Sequence, residues 1–217
     1  MKRNYVDEII SKKKRLLKRS NRYEQFDRRI IPLASGFRFL ERIKQGVTFR
    51  PELLKYMPIG AIACVEGYFK LLMEDLIDAG SPYIDNLKNF TDIKLTMESV
   101  LAIHSRKITI GEFVSHLLPV NNVSDINHSI STIIGQDFIQ LLMNQPTSEY
   151  NPEPLSKVFP KLIGDVEGLF QLRHLYAHEL ATKETVSIRK IQKYWGSTMI
   201  FVMSTEEMIN KFMLTFV

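Results

Sequence analysis

Between residues 162 and 180 the chain places Leu162, Val166, Leu169, Arg173, Tyr176 and Leu180 at alternating steps of four and three. This is the apolar stripe of a helix buried along one side, inside a helical run that opens near Pro154, and it obliges the stretch to pack against other elements. An arginine interrupts the stripe. Its guanidinium stays charged at any relevant pH, so Arg173 must face a carboxylate, a phosphate or a wet cleft.

The adjoining face is polar. Glu167, Gln171, His174 and His178 follow at four, three and four, about 100° round from the first stripe. His178 lies five residues after Arg173, which leaves the two side chains about 140° apart on an ideal helix. One unbroken helix does not aim both at one atom. They converge only if the helix ends near His178, or if a two-fold dimer brings Arg173 of one chain to His178 of another. The bland alternative has Arg173 paired with an internal carboxylate and the histidines settled in the dipole field at the helix end.

The pattern Arg173-His174-Leu175-Tyr176-Ala177-His178, an arginine, a polar residue, three residues and a histidine late in a helical chain, resembles the signature of the HEPN (higher eukaryotes and prokaryotes nucleotide-binding) superfamily. The resemblance covers six positions and gains specificity from its setting near the end of the penultimate long helix. It implies an all-α, HEPN-like helical bundle, usually a homodimer, and a metal-independent endoribonuclease of the toxin, anti-phage effector or RNA-processing kind. By likeness, His178 is the acid or base and Arg173 binds the scissile phosphate. His174 positions substrate, with Glu66 and Tyr176 as further positioning candidates. Products would carry 2′,3′-cyclic phosphate and 5′-hydroxyl ends. A non-catalytic HEPN-like module for a nucleotide, RNA or protein is the alternative. In HEPN toxins silenced by a nucleotidyltransferase, a tyrosine stands two residues after the histidine; here Leu180 does, which puts that control in doubt and leaves an antitoxin or sensor protein open as a partner.

The residue types suit that chemistry. Histidine moves protons near neutrality, and the planar arginine fork matches phosphate oxygens. A metal reading is weaker. His174 and His178 share a helix face with Glu167, but the zincin pattern needs a glutamate directly after the first histidine, where Leu175 stands. No cofactor motif is present, and His104, His116 and His128 are scattered over separate elements with no expected catalytic part.

Charge narrows the partners. The chain has a net charge of +5, yet residues 1–30 hold eleven Lys or Arg against four Asp or Glu, so the other 187 residues sum to −2. A local basic arm steers towards phosphate backbones such as RNA, or simply forms a solvated face. DNA is not an expected partner. The single cysteine, Cys64, sits in an apolar run and is expected to be buried and inert, which with the absence of a signal sequence or spanning segment suggests a cytoplasmic protein with no membrane partner.

Periodicity sets the expected elements. Ile9, Leu16, Tyr23 and Ile30 recur every seven residues, with Ile10, Leu17 and Ile31 alongside. Residues 1–50 thus read as a basic amphipathic helical extension packing on a body formed by 51–217. Pro32 and Gly36 are expected to interrupt it before a short helix closing at Gly46. Pro58 suits the start of a helix to Ala79, whose buried face is Ile62, Val65, Phe69, Leu72, Met73 and Leu76; Glu66 lies near that face as a candidate partner for Arg173. Residues 83–107 read as helical. Thr109 and Glu112 form a capping box, Ser124 caps a helix reaching Leu142, residues 181–185 form a loop, and a last helix begins near Ser187.

Overall fold

A computed structural model describes residues 4–16, 21–43, 49–148, 151–178 and 187–214. The protein is all-α. The helices are α1 (Tyr5–Arg15), α2 (Arg22–Arg42), α3 (Phe49–Asp78), α4 (Met97–His104), α5 (Ile110–Leu117), α6 (Val123–Ile134), α7 (Phe138–Asn144), α8 (Leu155–Val158), α9 (Leu162–His178) and α10 (Ile188–Leu214). Asp85–Asn89 is a 3-10 helix, and β1 (Pro146–Ser148) pairs antiparallel with β2 (Asn151–Pro154).

The bundle is built around α3. Ile62, Val65, Phe69, Leu72, Met73 and Leu76 are fully shielded from solvent, as their spacing predicts, and Ala61, Tyr68 and Ile77 on the other sides are covered too. A helix apolar nearly all round must be enclosed, and each such large side chain stabilises the fold by about 1.5–3 kcal/mol on burial. Helices α2, α5, α9 and α10 supply the enclosure. Phe69 joins three of the layers, its ring centroid 5.5 Å from that of Phe201 on α10 and 6.3 Å from that of Phe138 on α7.

Helix ends follow local chemistry. The Thr109 hydroxyl accepts from the Glu112 backbone N–H at 2.9 Å, and the Glu112 carboxylate accepts from the Thr109 N–H at 2.7 Å, so the expected capping box starts α5. Its other end is closed by a cation from α3: Lys70 donates to the carbonyls of Ser115, His116 and Leu118, which no longer have helical partners.

Several boundaries differ from expectation. Helix α2 runs unbroken through Pro32 and Gly36, because the seam of Phe26, Ile30, Phe37 and Leu40 stays buried on both sides of the proline. Helix α3 begins at Phe49, not Pro58; Pro51 falls in its first turn, where the missing N–H has no helical partner to lose, while Pro58 is buried in the core. Residues 83–107 hold only the 3-10 helix and the short α4. The helix expected to reach Leu142 is two helices, started by Asn122 rather than Ser124 and divided where Gly135 takes the left-handed conformation (φ +74°) that stops α6. The small β-ribbon had no alternating pattern to announce it. Leu17, Gly46, Leu180 and the loop at 181–185 lie outside the described residues.

Candidate functional site

Helix α9 enters the core and then leaves it. Leu162, Val166 and Leu169 are buried, and the next two stripe positions, Arg173 and Tyr176, are half-buried. The stripe thus carries the motif to a partly wet end of the bundle. Leu172 packs there on a second small core of Phe37, Leu40, Leu54, Met57 and Ile191, which ties this end of α9 to α2, α3 and α10.

Arg173 faces Glu66 of α3. Its Nη2 stands 3.1 Å from Glu66 Oε1, with side chains 26% and 28% exposed. The contact is an ion pair without hydrogen-bond geometry: Oε1 is buried and accepts no hydrogen bond among the described residues. Burial pushes the Glu66 carboxyl above the usual carboxylate range, while Arg173 and then Lys70 pull it back. Glu66 therefore steers the guanidinium without occupying most of its five N–H donors.

The two histidines come together one turn apart. His174 and His178 are exposed, and their ring centroids lie 5.1 Å apart with planes inclined at 50°. The site so comprises two pairs, Glu66 with Arg173 and His174 with His178. No hydrogen bond or ion pair joins them among the described residues. Helix α9 is continuous from Leu162 to His178, so the roughly 140° between Arg173 and His178 on an ideal helix applies within one chain. Glu167, on the histidine face, is engaged elsewhere: its carboxylate accepts the Val123 N–H at 3.1 Å, near the start of α6. Among the described residues no three His, Cys, Asp or Glu side chains gather as a metal-ligand set.

Sequence reasoning missed what holds α9 in place. Asp165 is buried at its first turn and accepts from Lys193 Nζ at 2.8 Å and Ser197 Oγ at 3.0 Å, both on α10. Gly168 is required by the same neighbour, because a Cβ there would meet the Tyr194 ring at 2.6 Å. The signal available was an aspartate directly before the buried Val166. Arg22 was missed as well. Read as part of a basic arm, it is buried, donating to Glu206 Oε2 at 2.7 Å, Asp75 Oδ2 at 2.8 Å and Asn210 Oδ1 at 2.6 Å.

The remaining candidates sit apart. Cys64 is buried, and burial pushes its thiol up despite the opposing field of Arg29. His116 Nε2 pairs with Glu8 Oε2 at 2.9 Å, joining α5 to α1. His128 meets Phe90 edge-on, and His104 is exposed at the end of α4. No helix among the described residues is long and apolar enough to cross a membrane. Compared with models of known families, with curated protein sequences and with solved structures, the chain matches none.

Proposed function

We propose that this chain is a metal-independent endoribonuclease of HEPN type that acts on RNA as a homodimer. One observation carries the reading: a half-buried carboxylate from a different helix stands against Arg173 at a solvent-facing helix end that also displays His174 and His178. An arginine held by one carboxylate keeps donors for a second anion, and phosphate is the anion its fork fits.

In this reading two copies set one α9 against the other, so that Arg173 of one protomer and His178 of its partner address the same phosphate. The 2′-oxygen attacks phosphorus, the bond to the 5′-oxygen breaks, one proton leaves the 2′-hydroxyl and one reaches the 5′-oxygen. His178 serves as acid or base. Arg173 supports the charge that grows on the phosphoryl oxygens, and His174, beside His178, orients the substrate. The products are a 2′,3′-cyclic phosphate and a 5′-hydroxyl. Cytoplasmic action, as a toxin or anti-phage effector restrained by a protein partner, belongs to the same proposal.

The test is cleavage of labelled single-stranded and structured RNA in excess EDTA. Wild type cuts, and His178→Ala loses about 10²–10⁴-fold in rate with an unchanged far-UV spectrum. A His178→Ala protein that cuts at the wild-type rate overturns the assignment. Binding of RNA, a nucleotide or a protein that Arg173→Ala abolishes, with no cleavage by wild type, would select the non-catalytic module instead.

A further inference from the structure

A second basic site lies on the other side of α3. Helices α1, α2 and α3 enclose a cavity of ≈470 Å³, a size that suits small-molecule ligands. Lys12, Arg15, Arg28 and Arg29 line it, and no carboxylate does. Arg28 and Arg29 have no ion-pair partner among the described residues, and Arg15 makes only a bond from Nε to the Ser11 carbonyl at 3.2 Å. The rest of the lining is largely apolar, with Leu16, Phe26 and Leu71 prominent.

The cavity is separate from the site on α9. Its α3 positions, Cys64, Gly67, Tyr68 and Leu71, fall about 100–160° round the helix from Glu66. Four cations line one cavity with no carboxylate among the lining residues, and three of them are guanidiniums, whose planar forks suit phosphate oxygens. An apolar floor beneath such a rim takes a flat ring. We propose that this cavity binds a nucleoside polyphosphate, with the base against Phe26 and Leu71 and the phosphates on Arg15, Arg28 and Arg29. This inference does not rest on the nuclease reading.

Gly67 makes the proposal testable without unfolding the protein. It lies mid-helix on the cavity wall, and a Cβ built there meets no atom within 4 Å. Gly67→Leu therefore fills the space while improving helix propensity by roughly 1 kcal/mol.

Titration calorimetry on the full chain, at about 0.15 M salt to suppress loose electrostatic binding, would use ATP, GTP, inorganic tripolyphosphate and decanoate. One nucleotide bound per chain is expected, weakened roughly tenfold or more by Arg28→Ala with Arg29→Ala. Gly67→Leu abolishes it and Arg173→Ala leaves it unchanged. The proposal is overturned if neither nucleotide binds, if decanoate binds in their place, if tripolyphosphate binds as tightly as both nucleotides and survives Gly67→Leu, or if Arg173→Ala removes binding that Gly67→Leu retains.

Discussion

Two arginines occupy half-apolar helix faces in this protein, and they are used in opposite ways. Arg22 has a side chain only 7% exposed and spends Nε, Nη1 and Nη2 on Glu206, Asp75 and Asn210 at 2.6–2.8 Å. Tyr68 adds its hydroxyl to the same Glu206 oxygen at 2.8 Å. Burial works against the Arg22 charge, but the Asp75 hydrogen bond and the Glu206 field outweigh it. Arg173 is 26% exposed and has one carboxylate at 3.1 Å, without hydrogen-bond geometry. A guanidinium with all three nitrogens engaged fastens helices together. One with donors to spare is available to a ligand.

The contrast breaks most readily on stability. Arg22→Ala leaves the largely shielded Glu206 carboxylate, 15% exposed, without its counter-charge and should cost about 3–5 kcal/mol in urea titration. Arg173→Ala should stay within about 1 kcal/mol, since its pair is partly exposed. Equal losses would make both arginines structural.

Glu66→Gln sharpens the comparison. Under the proposed nuclease function, removing the steering charge should slow RNA cleavage by roughly ten- to a hundred-fold through mispositioning of Arg173, with stability changed by less than about 1 kcal/mol. Unchanged turnover would reduce Glu66 to a bystander.

The smallest expected effect lies next to Asp75, the Arg22 partner. Burial pushes the Glu74 carboxyl up to about 7, with Lys12 opposing and Glu112, Asp75 and Asp78 adding to the rise. Its ordinary value is 4.5, so between these two values the folded state holds the proton more firmly than the unfolded state. Stability from this group is greatest below the lower value, falls as pH rises through the window and is level above it. Glu74→Gln should therefore raise the melting temperature at pH 8 by a few degrees, about what 1 kcal/mol does for a chain of this size, and change nothing at pH 4. A gain equal at both pH values would remove Glu74 as the cause.

Legibility in the sequence tracked distance along the chain. The stripe through Leu162, Val166 and Leu169, the Thr109–Glu112 box and the enclosed face of α3 could be read because each depends on neighbours within a few turns. The Glu66–Arg173 contact could be guessed, since an arginine in an apolar stripe demands an anion and few carboxylates border buried faces. Arg22 could not. Its partners lie 53, 184 and 188 positions away, and nothing local distinguishes it from Arg28 or Arg29. Prolines misled for a related reason. Pro32 and Pro58 sit within continuous helices because contacts across the bundle outweigh the lost backbone bond: Leu33 lies against α3 at Gly60, where a Cβ would stand 3.0 Å from its methyl group.

The Arg22 clasp also has a consequence in time. It unites α2 with Glu206 and Asn210 of α10, an interval of more than four-fifths of the chain, so the loop it closes is among the longest and entropically most costly in the fold. If so costly a closure follows the folding barrier, the clasp is a latch on escape: its loss should speed unfolding in stopped-flow measurements and leave the refolding rate nearly untouched, and an equal slowing of refolding would place it in the nucleus instead.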